Sequence, residues 1–166
     1  NGCNPLTTSF ANTSTGAVSN IWYFGNGDSS TVANPTYTYT TPGVYQPYIV
    51  AITAFGCTDT FYLNTSVVVY STPNASFNSN VTNGCSPLTV NFNNQTTPLD
   101  NPVYNWSFGT GATSALADPT YTYNSHGTYA VQMIVTNLGG CADTATATIV
   151  VDPSPVAIAQ ADVTTG

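Results

Sequence analysis

Few side chains in this 166-residue sequence can do chemistry, and their spacing decides which chemistry. There are four cysteines, seven aspartates and one histidine, with no glutamate, lysine or arginine. His126 is the one conventional general base. It precedes a turn glycine, Gly127, and the matching position of an internal repeat holds Pro42, so a catalytic role for it is not expected. Paired carboxylates of the glycosidase kind are absent because the aspartates are scattered. No glycine-rich phosphate loop opens a helix. The cysteines have no Cys-x-x-Cys spacing and a single histidine for company, which is a poor zinc ligand set. A calcium site repeated in each copy would need several recurring oxygen ligands, yet only Asp59 and Asp143 recur; weak calcium binding at one loop is the alternative to aspartates that bond their own turns. The expectation is a chain with no catalytic residues, no metal and no cofactor.

The formal charge of −7 without a single Lys or Arg removes the means to neutralise phosphates, so nucleic acid is not an expected partner. Nor is an anionic membrane surface. No apolar run approaches the roughly 20 residues of a membrane helix. The opening Asn1-Gly2-Cys3 has no leader character, and the segment reads as mature and soluble. Without lysine, side-chain isopeptide staples are chemically impossible.

What must position these residues is a repeat. The chain matches itself at a shift of 82 to 84 residues. Gly2-Cys3-Asn4-Pro5-Leu6-Thr7 returns as Gly84-Cys85-Ser86-Pro87-Leu88-Thr89, and Trp22-Tyr23-Phe24-Gly25-Asn26-Gly27 as Trp106-Ser107-Phe108-Gly109-Thr110-Gly111. Pro35 to Tyr39 returns as Pro119 to Tyr123, Gly43-Val44-Tyr45 as Gly127-Thr128-Tyr129, and Gly56-Cys57-Thr58-Asp59-Thr60 as Gly140-Cys141-Ala142-Asp143-Thr144. A third copy begins at Pro155-Val156-Ala157-Ile158-Ala159, laid out like Pro73-Asn74-Ala75-Ser76-Phe77. The expected domains are residues 1–72, a sandwich lacking its first strand, and 73–153, a whole one. Residues 154–166 are then the first strand of a following repeat, or a strand donated to a neighbouring subunit.

Strand signals fill each copy. Leu88, Val90 and Phe92 alternate with polar residues, as do Tyr129, Val131, Met133 and Val135, and then Ala145, Ala147, Ile149 and Val151. Tyr104, Trp106 and Phe108 form another such run, closed by a glycine-rich turn. About seven short strands per copy, with an alphabet rich in Tyr, Thr and Val, predict an all-β protein of two antiparallel sandwiches. Trp22 and Trp106 are large enough to fill the space between two sheets. Tyr39, Tyr45, Tyr123 and Tyr129 suit sandwich edges, with the ring buried and the hydroxyl bonded; an exposed aromatic platform for carbohydrate is the alternative.

The four cysteines recur in pairs, one before the second strand and one before the last strand of each copy. Read within copies, Cys3 pairs with Cys57 and Cys85 with Cys141. Each bridge would close a loop of about 55 residues and contribute roughly 4 kcal/mol through the unfolded chain.

The Trp-x-Phe-Gly-x-Gly block, the Pro-Thr-Tyr-Thr-Tyr block and the Gly-x-Tyr strand start resemble the PKD domain, an immunoglobulin-like sandwich of extracellular proteins. The family's Asp is replaced here by Asn26 and Thr110. The variant with Gly-Cys before the second strand and Gly-Cys-x-Asp-Thr before the last is similar to tandem arrays on surface proteins of gliding Bacteroidota. Asp143-Thr144-Ala145 resembles an O-glycosylation site of that group, at Thr144; Asp59-Thr60-Phe61 departs from it at the third residue, and Thr60 is the weaker candidate. The resemblance implies a structural, adhesive repeat of an extracellular filament or long cell-surface adhesin. Its partners would be neighbouring copies in an open head-to-tail assembly, with a surface glycan or cell-surface ligand at the working end. The alternative is a spacer or carbohydrate-binding module of a secreted hydrolase.

Overall fold

In a computed structural model, residues 1–97 and 101–160 are described. They contain strands and turns, with no helix among them. The chain divides into two units. The first is Asn1–Pro73 together with the Thr136–Ala142 loop, and the second is Asn74–Val135 with Asp143–Gly166.

The first unit runs β1 (Gly2–Cys3), β2 (Leu6–Ser9), β3 (Ser19–Tyr23), β4 (Ser29–Ser30), β5 (Thr36–Tyr39), β6 (Gly43–Tyr45), β7 (Tyr48–Ile52), β8 (Thr58–Tyr62) and β9 (Val67–Tyr70). Its sheets are ordered β4-β3-β7-β8, β2-β5 and β1-β9-β6. The second runs β10 (Phe77–Ser79), β11 (Asn83–Cys85), β12 (Leu88–Asn94), β13 (Val103–Ser107), β14 (Thr113–Ser114), β15 (Thr120–Tyr123), β16 (Gly127–Thr136) and β17 (Ala142–Asp152). Here two sheets suffice, β10-β12-β15 and β11-β17-β16-β13-β14. Each unit is an immunoglobulin-like sandwich.

The difference in sheet count has a local cause. β16 spans what the first copy splits into β6 and β7, and the break falls at Pro47, whose counterpart is Val131. Proline has no N–H to give a ladder. β17 spans what the first copy splits into β8 and β9; there the first copy holds two extra residues within Leu63–Ser66.

In each unit the short cysteine-bearing strand, β1 or β11, pairs in parallel with the end of the last, Cys3 beside Tyr70 and Cys85 beside Asp152. The remaining described pairings are antiparallel, with Trp22 opposite Ile49 and Leu88 opposite Tyr123. The alternation read from the sequence appears as burial. Val131, Met133 and Val135 of β16 are fully buried, while their neighbours Gln132 and Ala130 face out. One core gathers Phe10, Trp22, Phe24, Tyr39, Ile49, Val67 and Val69, and the other Val90, Phe92, Trp106, Phe108 and Tyr123 with the inward residues of β16 and β17. Residues 153–160 carry no strand pairing. The Val163–Gly166 part of the expected third copy lies outside the described residues.

Candidate functional site

The aromatic motif is structural in both units. Trp22 is 3% exposed and Trp106 fully buried, and each indole N–H donates to a backbone carbonyl, Ala33 at 3.1 Å and Leu116 at 2.9 Å. Tyr39 and Tyr123 are inside, their hydroxyls donating to the Phe24 and Phe108 carbonyls at 3.0 and 3.2 Å. Tyr45 and Tyr129 are half-buried and donate back four residues, to Thr41 and Ser125. None of these rings offers a face to a ligand. The exposed side of the first unit does carry a tyrosine row in cross-strand register, Tyr23, Tyr48 and Tyr62. Tyr23 and Tyr48 stack at 4.7 Å and Tyr62 tilts against Tyr48 at 4.9 Å, so the facing sides of the rings are used within the row and support the sheet.

Burial has a readable consequence for two hydroxyls. It pushes Tyr39 and Tyr123 from the usual 10 up to about 12, with the neighbouring phenols of Tyr37 and Tyr45, and of Tyr121 and Tyr129, adding to the effect. Tyr37 is raised as well, first because its hydroxyl donates to the Asp28 carboxylate. The folded state therefore holds protons that the unfolded chain releases from pH 10 upward. Stability is full below pH 10 and falls between pH 10 and about 12. In a spectrophotometric titration, three of the eleven tyrosines, Tyr37, Tyr39 and Tyr123, should ionise late. Tyr123→Phe should remove one of them, and a titration in which all eleven ionise together near pH 10 would contradict this account.

The site that distinguishes the two copies is a groove. In the second unit the segment before β11 lies across the sandwich. Phe77 meets the Trp106 ring edge-on at 4.8 Å and Phe92 at 6.0 Å. Asp143 accepts the Ala75 backbone N–H at 2.7 Å, Gln95 N–H donates to the Ser76 carbonyl at 2.7 Å, and β10 pairs with the outer end of β12. In the first unit the matching surface is open. β2 stops at Ser9, three residues short of the reach of β12, and a cleft of about 620 Å³ lies along Phe10, Trp22, Ile49, Asp59, Phe61 and Leu63. Every residue of β8 is exposed, with Phe61 at 58%, whereas the matching Asp143, Ala145 and Ala147 of β17 are half-buried. Asp59, the counterpart of Asp143, bonds only the adjacent Thr60 N–H among the described residues. One signal was legible, the recurrence of Asp59 and Asp143, and its meaning in the second unit is an acceptor for a backbone N–H.

The cysteine pairing read from the sequence is corrected. The bond joins Cys3 to Cys141, with Cα atoms 5.7 Å apart, and leaves Cys57 and Cys85 exposed and unpaired. The cause is strand length. Cys141 immediately precedes β17, and Cys85 lies beside Asp152 at its other end. The eleven residues of β17 put roughly 36 Å between them, and a disulfide needs Cα atoms within about 7 Å. The same arrangement separates Cys57, ahead of β8, from Cys3, beside the end of β9.

The candidate glycosylation residues Thr60 and Thr144 are both exposed, on β8 and β17. His126 is exposed in the turn before Gly127. Among the described residues, no three His, Cys, Asp or Glu side chains gather as a metal site.

Residues 2–68 and 70–151 each match the PKD domain family. Pre-pro-metalloprotease PrtV of Vibrio cholerae is 47% identical over 58 residues, 35% of this chain and 6% of that protein. A microbial collagenase of Vibrio alginolyticus is 46% identical over 46 residues, 28% of this chain and 6% of that protein. The chain thus spans about 6% of the length of these curated relatives. A crystal structure of the PKD1 domain from the Vibrio cholerae metalloprotease PrtV is 38% identical, covering 49% of this chain and 98% of that one, with a TM-score of 0.43. Neither organism belongs to the Bacteroidota, and the origin implied by the cysteine variant gains no support from them. With both of its copies matched over nearly their whole length, this chain belongs to the PKD domain family.

Proposed function

We propose that the chain is a non-catalytic spacer of an extracellular protein, two PKD domains that stack head to tail with further copies of themselves. The observation that carries this reading is the groove of the first unit. Its counterpart in the second unit holds Ala75 and Phe77, and an equivalent of that segment, Pro155 to Gln160, lies exposed and unpaired, with Val156 at 83% and Ile158 at 89%. A segment of the 155–160 kind, from a preceding copy of the repeat, is the occupant that fits it. Its main chain would be held by Asp59 and by the Phe10–Asn12 edge, in the manner of strand addition. A disulfide supports an oxidising, extracellular setting. The matched relatives, a metalloprotease and a collagenase, favour a host of the secreted-hydrolase kind over an adhesive filament.

Synthetic peptides of residues 71–82 and 153–166, titrated into the full chain under reducing conditions, test the reading. Saturable one-to-one binding is expected. Asp59→Ala should weaken it by about tenfold, the scale of one hydrogen bond to a charged acceptor. Absence of binding by both peptides at millimolar concentration would remove the head-to-tail reading.

A further inference from the structure

Cys57 and Cys85 are unpaired, yet each is held in the backbone setting of a cysteine that is bonded. Cys3 sits beside Tyr70, with the next N–H, from Asn4, donating to the Tyr70 carbonyl at 2.9 Å. Cys85 sits beside Asp152, and Ser86 N–H donates to its carbonyl at 2.9 Å. The other half repeats as closely. Asn137 N–H donates to the Cys141 carbonyl and Thr53 N–H to the Cys57 carbonyl, both at 2.9 Å. The turns between them close with Gly140 and Gly56 donating back at 3.0 Å. The side chains of Asn137 and Thr53 each accept the cysteine's own N–H, at 2.9 and 3.2 Å. The structure thus contains one completed bridge, Cys3–Cys141, between the start of one copy and the penultimate loop of the next, and two isolated halves of another.

We infer that Cys85 bridges in the same way to the cysteine at the Cys57 position of a following copy, and Cys57 to the cysteine at the Cys85 position of a preceding one, so that a continuous series of copy-to-copy disulfides runs along the stack. This inference rests on the head-to-tail reading. Side-chain size at the joint supports it independently. Next to the Cys3–Cys141 bond, Tyr70 lies so close to Gly139 that a Cβ there would meet the Tyr70 ring at 2.2 Å. At the matching positions the sizes are exchanged. Asp152 stands where Tyr70 does, and Phe55 stands where Gly139 does, its ring 96% exposed. Pairing Cys85 with Cys57 would set Phe55 against Asp152, again a larger residue opposite a smaller one. This also gives the bare Phe55 ring a surface to cover.

With a small-molecule disulfide as oxidant, the Cys85 thiolate attacks it and expels one thiol. The Cys57 thiolate of the next chain then attacks the mixed disulfide and expels the second. Two cysteine thiols become one S–S bond, and the small disulfide takes up the two electrons and two protons.

The test uses the full chain with Cys57→Ser or Cys85→Ser, both exposed positions, in a buffer of oxidised and reduced glutathione. Wild type is expected to give a ladder of disulfide-linked multimers that collapses on reduction. Either variant alone should stay monomeric. An equal mixture should give one dimer, at least about tenfold above either alone because docking raises the effective concentration of the matching thiols, with a Cys57–Cys85 cross-linked peptide. Equal dimer yield from single variants would show unselective oxidation and overturn the inference, as would mapped Cys3–Cys57 and Cys85–Cys141 bonds. Peptide binding by the Cys57→Ser/Cys85→Ser chain without any cross-linking in the mixture would sink the bridge alone. Loss of peptide binding would sink the stacking with it.

Discussion

Trp106→Ala is expected to destabilise the second unit by about 3–5 kcal/mol, the cost of emptying a core site of an aromatic ring. The indole is fully buried and is the hub of its core, with Phe77 edge-on at 4.8 Å, Phe92 at 5.5 Å and Phe108 stacked at 6.5 Å. Alanine cannot collapse that space, because the rings around it are anchored on both sheets. The substitution also strips the Leu116 carbonyl of its indole donor, a smaller loss because Leu116 is 66% exposed and water can take the donor's place. Since a domain of this size has only about 5–15 kcal/mol in hand, the second unit should lose its fold at mild urea concentrations. The fluorescence of Trp22 should continue to report a folded first unit. Trp106→Phe retains most of the packing and should cost less than half as much. A midpoint shift for Trp106→Ala no larger than that for Trp106→Phe would show that the core does not turn on this ring.

Trp22 occupies the same position with a different neighbourhood. Phe10 lies at 5.3 Å, but nothing in the first unit plays the part of Phe77. An array that fills the groove would therefore stabilise the first unit by mass action. The isolated chain should have a weaker first unit than second, whereas an array would even them out.

Much of this architecture was legible because repetition turns single residues into positions. Alternation at Val131, Met133 and Val135 marked a buried face, and those residues are fully buried. The Trp-x-Phe-Gly-x-Gly block marked a core strand and its turn, and Trp106 and Phe108 are both inside. The split of one long strand into β6 and β7 was legible in principle from Pro47 opposite Val131, since proline breaks a ladder wherever it falls. The cysteine pairing was not legible by the same route. Recurrence within each copy carries no information on whether a bond closes inside a copy or between copies, because both patterns recur with the same period. The deciding quantity is the distance along β17, and it enters only once Cys85 is known to pair alongside Asp152. The parallel placement of a three-residue strand such as Asn83–Cys85 leaves almost no periodic signal. The role of Asp143 was hidden for a similar reason. A carboxylate that accepts one backbone N–H from Ala75 looks, in sequence, like any aspartate in a turn.

The glycines of the motif give the second large effect. Gly109 has φ 78°, a left-handed conformation that costs a residue with a side chain about 1–2 kcal/mol. A Cβ at this position would also meet the Ala130 carbonyl oxygen at 2.8 Å and the Ala130 nitrogen at 3.0 Å. Those atoms belong to the backbone of β16, in the middle of the larger sheet, and cannot move aside as a flexible side chain would. Overpacking of that kind costs about 1–3 kcal/mol more, so Gly109→Ala should destabilise the second unit by roughly 2–5 kcal/mol in total. Gly111 is the internal control. Its φ is 89°, equally left-handed, but a Cβ there meets nothing within 4 Å. Gly111→Ala should therefore show the conformational cost alone, about 1–2 kcal/mol. The difference between the two variants, read from chemical denaturation of the second unit, isolates the close approach of the turn to β16. Equal losses at the two positions would mean that the first glycine of the motif is selected for its backbone angles only, and that the strand beside it has room to yield.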